Sequence, residues 1–210
     1  MNFLGHAQVA LAAGEDADFV LGAVLPDLAP MAGIRLRRAR IGGRLGEGIA
    51  CHVRADAAFH ALVEFRRGSG ALRRDLAARG LGTGPARAVG HAGWELLLDG
   101  TLVGGEAEDA FHRALAAGDR VGAALDPADR ARWEAFLARG RGGGHLRYDD
   151  PAWVADRLHA MLGRRPRLAL AAEEVPTVAD VLAVHVPAVA AVAGAVVAAT
   201  AAAAAAAAGG

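Results

Sequence analysis

The chain has 210 residues, enough for one full hydrophobic core and cramped for two. All 23 basic residues are arginine and 23 acidic residues balance them, so the formal net charge is zero, which argues against a general polyanion binder. The lone cysteine, Cys51, excludes an intramolecular disulfide and a cysteine-rich zinc module, and fits a reducing cytoplasm.

Helix signals dominate, because β-branched runs are short and two-residue hairpin turns are missing. Residues 3–13 read as a first helix. No basic stretch precedes it and acidic residues follow early, which is not the pattern of a secretory signal. Residues 17–24 form a short apolar segment that stops at Pro26. A loop over 26–46 follows, carrying the basic run Arg35, Arg37, Arg38 and Arg40. Helices are then expected at about 47–66, 70–79, 85–99, 105–117, 127–139, 151–163 and 177–200. Asp150 before Pro151 is a helix start, an N-cap residue ahead of proline at the first helical position. The glycine cluster over 139–144 reads as a flexible connection.

From Val181 to Ala208 no charged residue occurs, and the stretch is long enough to span a bilayer. It is mostly alanine, which gains little from lipid, so a packed helix with no membrane partner is expected. The whole reads as an all-α, single-domain helical bundle. It comprises a domain over 1–175, a C-terminal helix over 176–200 and a frayed alanine-rich tail over 201–210.

Chemistry-bearing residues fall in four places. His6 lies on the opening helix, where a lone histidine is more often structural. Asp27 follows a proline inside an apolar stretch, so it must be solvated, cap a helix or face something positive, capping being the cheapest. His52 and Asp56 stand four apart, on one face of a helix, with His60 at the next such step. His91, Glu95 and Asp99 repeat the spacing. Each step drifts about 40° round the helix, so neighbours share a face while the ends diverge. Leu96, Leu97 and Leu98 make that helix a buried one, and a buried carboxylate must be paired or metal-bound. A mixed set of imidazoles and carboxylates suits a divalent ion such as Mn²⁺, Fe²⁺ or Zn²⁺. Without cysteine ligands, a water-activating hydrolytic site is favoured over a structural zinc, and phosphate esters are the class of substrate.

Four segments together resemble the acyl carrier protein phosphodiesterases, helical and divergent relatives of the HD-type metal phosphohydrolases. They are MNFLGHAQVALA with His6, LGAVLPDL with Asp27, GIACHVRAD with His52, Arg54 and Asp56, and the block ending RRPRL near residue 168. The resemblance covers roughly residues 1–170 and departs at Ala50, where the family has a histidine, and at Leu96. It implies a cytoplasmic enzyme that hydrolyses the phosphodiester between 4′-phosphopantetheine and a serine of holo acyl carrier protein, with Mn²⁺. The implied ligand pool is His6, Asp27, His52, Asp56, His91 and Glu95. Asp27 or Asp56 would orient water and Arg54 would hold the phosphoryl oxygens. Arg164, Arg165 and Arg167, with the loop arginines, would meet the acidic carrier protein. The alternatives are a nucleotide or lipid phosphate as substrate, and a non-catalytic helical binding domain. No nucleic-acid partner is expected.

Overall fold

A computed structural model describes residues 1–13, 16–36, 41–140 and 146–209. Among these residues there is no strand; the chain is all-α, as its sequence pattern requires. The helices are α1 (Phe3–Ala12), α2 (Ala17–Ala32), α3 (Gly43–Ala61), α4 (Val63–Ala78), α5 (Thr83–Gly100), α6 (Glu106–Ala116), α7 (Asp119–Ala123), α8 (Pro127–Gly140), α9 (Pro151–Leu162) and α10 (Val175–Ala206).

Boundaries at 175 and 200 were expected, but the chain divides into two compact units that are each discontinuous. One, the amino-terminal unit, comprises Asn2–Ala58, Gly104–Leu146 and the residues from Val197 on. The other, the central unit, comprises Met1, Phe59–Val103 and Arg147–Val196.

In the amino-terminal unit, α1 packs on α2 and α6, α2 also packs on α6 and α8, and α7 packs on α8. Leu4, Leu21, Leu25 and Trp133 are fully buried there. Trp133 Nε1 donates to the Gly118 carbonyl at 2.7 Å, which satisfies the one polar atom of that ring. Helix α2 differs most from expectation. Asp16 caps it, its carboxylate accepting from the backbone N–H groups of Asp18 and Phe19. The helix then runs through Pro26 and Pro30 to Gly33, whose φ of 71° closes it in the left-handed conformation that glycine adopts without strain. Each proline removes one backbone hydrogen bond, and burial of Leu25, Leu28 and Ala29 around them holds the helix together. Asp27 therefore sits in the middle of this helix rather than at its start.

In the central unit, α4 packs on α5 and α5 on α9. The expected single helix over 47–66 is broken at Leu62, whose extended backbone (φ −63°, ψ 139°) separates α3 from α4. Asp150 caps α9 as read from sequence, accepting from Ala152 and Trp153, with Pro151 in the first turn. The backbone donor of Trp153, with that of Ala152 and the charge of Arg147, holds its carboxyl below the usual value against the opposing effect of desolvation. Short α7 was not foreseen.

Helix α10 belongs to the central unit up to Val196 and to the amino-terminal unit beyond it. Its buried residues, among them Val178, Val181 with Leu182, Val189, Val196, Thr200 and Ala204, follow the spacing of one helix face. It is the described helix long and apolar enough to cross a membrane by length and composition. The tail expected to fray is helical to Ala206, and Arg54 Nε donates to the Ala204 carbonyl at 3.0 Å. Truncation after Ala199 should therefore lower stability, by about 1–3 kcal/mol for the lost hydrogen bond and burial. Thermal unfolding of the truncated chain checks this.

Glu108 is a buried clasp of the amino-terminal unit. Its carboxylate accepts from the backbone of Gly104 at 2.7 Å and of Leu146 at 3.1 Å, with His112 at 3.5 Å. Burial opposes its ionisation, yet those donors prevail and hold its carboxyl below the ordinary value. Because the folded carboxyl is the more acidic, its stabilisation is complete above the ordinary glutamate range, near pH 4.3 to about 4.5, and is lost as pH falls through the lower folded value. Glu108→Gln should cost about 1–3 kcal/mol at neutral pH and should flatten stability against pH below that range. Urea unfolding between neutral and acid pH measures both.

Candidate metal centres

The first cluster is built by a close helix crossing in the amino-terminal unit. A Cβ on Gly48 would lie 2.1 Å from the Phe19 carbonyl oxygen, and one on Gly22 would lie 2.2 Å from that of Leu45. Only glycines let α2 and α3 touch backbone to backbone. One turn along each helix from Phe19 and Gly48 lie Ala23 and His52, and His52 Nδ1 meets the Ala23 carbonyl at 2.8 Å. With Nδ1–H donating there, Nε2 carries the lone pair. One further turn along α2 is Asp27, whose Oδ1 lies 4.0 Å from His52 Nε2. Helix α1 brings His6, its ring stacked on His52 at 3.9 Å between centroids and its Nε2 3.8 Å from Asp27 Oδ2.

Ligand atoms of His6, Asp27 and His52 all lie within 4.8 Å of one another. Donors about 2.1 Å from a shared ion stand roughly 3–3.5 Å apart, so this cluster is wider than a loaded site, and Asp27 meets the two imidazoles through different oxygens. The two imidazoles are buried, while Asp27 keeps 30 % of its side chain exposed and marks the solvent side. Two imidazole nitrogens and a carboxylate fit a borderline divalent ion such as Mn²⁺, Fe²⁺ or Zn²⁺.

The second cluster lies in the central unit. The break at Leu62 leaves His60 on the last turn of α3, and α5 supplies His91 and Glu95 one turn apart. His60 Nε2 and His91 Nε2 are 3.0 and 3.1 Å from Glu95 Oε1 and 3.2 Å from each other. The α-amino group of Met1 lies 3.2 Å from the same oxygen. Burial alone would raise the Glu95 carboxyl. Hydrogen bonds from His60 and His91, with the positive charge of the α-amino group and of His91, overcome it and hold the carboxyl far below the usual range. Phe59 and Phe65 meet the His60 ring edge-on, and Phe65 meets His91 at 88°. Trp94 backs both phenylalanines. Glycine again allows the approach: a Cβ on Gly68 of α4 would be 2.1 Å from Trp94 Nε1.

The single pool of six ligands read from sequence thus divides. His6, Asp27 and His52 meet in one unit, His91 and Glu95 in the other, joined by His60. The sequence reading placed His60 at the right spacing but left it out of the pool; its signal was its place two turns after His52. Asp56, half-buried one turn beyond His52, joins neither cluster among the described residues. Across helices, His52 meets Ala23 and Asp27. Asp99 is fully buried at the end of α5 and also lies in neither cluster.

Arg54, bonded to Ala204, lines a cleft of 560 Å³ with Phe19, Arg44, Glu47 and Cys51, and the cluster of His6, Asp27 and His52 is not in its lining. Burial pushes the Cys51 thiol up, only partly offset by the charge of Arg54, so it stays protonated at neutral pH. Arg164, Arg165 and Arg167 are exposed on the turn after α9. That turn is fixed against α5, where a Cβ on Gly84 would lie 2.1 Å from the Arg167 carbonyl oxygen. Arg35 is exposed; Arg37, Arg38 and Arg40 lie outside the described residues, as does most of the 139–144 glycine cluster. No family model, curated protein or solved structure matches the chain.

Gly48→Ala should force α2 and α3 apart, costing about 1–3 kcal/mol, and should separate His52 from Ala23. Gly42→Ala, where a Cβ would meet nothing within 4 Å, is the control. Thermal unfolding of both variants, with and without Mn²⁺, should show loss of stability, and of the part of the metal-induced shift that this cluster contributes, for Gly48→Ala alone.

Proposed function

We propose that the chain is a metal-dependent phosphodiesterase, with the phosphopantetheine–serine linkage of holo acyl carrier protein as its substrate. One observation carries the reading. Residues from three separate segments of the family resemblance, His6, Asp27 and His52, converge within 4.8 Å of one another although long stretches of chain separate them. A salt-bridged surface would not require burial of both imidazoles.

His52, fixed by the Ala23 carbonyl, and His6, stacked upon it, would hold the ion in a set orientation. When bound, the ion supplies a Lewis acid for the phosphoryl oxygen and a water acidic enough to attack near neutral pH. Asp27, the half-buried member, would orient that water toward phosphorus and accept its proton. Water adds across the phosphorus–serine oxygen bond, phosphopantetheine leaves, and the serine regains its hydroxyl. The exposed arginines at 164, 165 and 167 would offer the acidic carrier protein complementary charge.

The test pairs a Mn²⁺ titration of thermal stability with mass spectrometry of holo carrier protein. His52→Ala and Asp27→Asn should lose the metal-induced shift produced by the ion at this cluster and at least 10²-fold in turnover, the low end of what one catalytic group supplies. Asp56→Ala should keep the shift. Arg54→Ala should keep it as well, while losing stability through its contact with α10. Turnover of a generic phosphodiester with none of carrier protein would move the substrate to a nucleotide or lipid phosphate. Absence of any shift in the wild type would refute the reading.

A further inference from the structure

Beyond that reading, we infer that His60, His91 and Glu95 form a cation site of their own, sharing no residue with the first cluster and taking a borderline divalent transition metal such as Zn²⁺. Three features carry it. The three ligand atoms make a triangle with edges of 3.0, 3.1 and 3.2 Å, which is about the spacing of donors roughly 2.1 Å from a common ion. Both imidazoles present the same nitrogen, Nε2, to that point, together with one carboxylate oxygen. The rings are held in place by edge-on contacts with Phe59 and Phe65, so little conformational freedom remains to be lost on binding.

The site is also reachable. Its aromatic side is buried, whereas His91 is 51 % and His60 31 % exposed, which leaves an open face for entry and for further ligands. Imidazole nitrogen with one carboxylate selects ions of intermediate softness over Mg²⁺ or Ca²⁺, which take oxygen donors. The carboxylate offsets one of the ion's two charges, and the Met1 α-amino group 3.2 Å from the same oxygen adds positive charge of its own unless the ion displaces its proton, so the loaded site stays positive and would draw an anionic group as an additional ligand.

The experiment is a titration of metal-free protein with Co²⁺, followed by its visible absorption, and competition with Zn²⁺. Wild type should bind an ion at this site with a saturable absorption band that Zn²⁺ abolishes. His91→Ala and His60→Ala should each weaken that binding more than about a hundredfold. His52→Ala should leave it intact. A measurement that does not need those two variants is X-ray absorption on Zn²⁺-loaded His52→Ala, which should show two imidazoles in the first coordination sphere. Unchanged titration in both His91→Ala and His60→Ala would overturn the inference and leave a hydrogen-bonded cluster. Loss of all binding in His52→Ala would overturn it while leaving the phosphodiesterase reading standing. Loss confined to His91→Ala and His60→Ala, with none in His52→Ala, would uphold this site whatever became of the first.

Discussion

At Gly22 and Gly48 two helices cross backbone against backbone, with less room than a single methyl group needs. The placing of His52 against α2 in the first cluster follows from that contact. The chain direction of α2 and α3 carries Ala23 and His52 to the next turn together, where a carbonyl and an imidazole nitrogen meet at 2.8 Å. Fixing Nδ1 in this way fixes which nitrogen faces Asp27. A bulkier pair at the crossing would separate the axes, and the histidine would lose both its tautomer and its aim.

The second cluster uses a different support. Its carboxylate, Glu95, is largely removed from water, which on its own disfavours ionisation. The histidines and the α-amino group around one oxygen reverse that preference. The aromatic rings beneath supply apolar contact without competing for the polar atoms, so the nitrogens remain directed at Glu95. Buried charge is tolerable here only because several donors converge on it.

Helix α10 shows how a weak sequence element becomes structural. Alanine offers little area per residue, yet a long stripe of small side chains allows close approach and a backbone carbonyl that Arg54 can reach. Arg54, read in the sequence as a phosphoryl ligand, spends its Nε on that carbonyl. Cys51 beside it is kept a thiol by burial.

The all-α character was legible because helical periodicity and caps are local. Asp150–Pro151 marked the start of α9, and most helix ends fall within a few residues of those read from the pattern. Candidate ligands were legible too, since histidine and carboxylate on apolar helices are conspicuous. Three matters were not. Proline at 26 looked like a stop because its local cost is plain, whereas the burial that outweighs it is tertiary. Asp56 shares a helix face with His52 at i and i+4, but the contacts of His52 with Ala23 and Asp27 depend on how α2 crosses α3. His60 looked incidental until the break at Leu62 and the approach of α5 placed it against Glu95. Sequence determines which side chains a helix can offer and on which face; which faces meet depends on how closely the helices cross, and that is decided by packing between residues far apart in the chain.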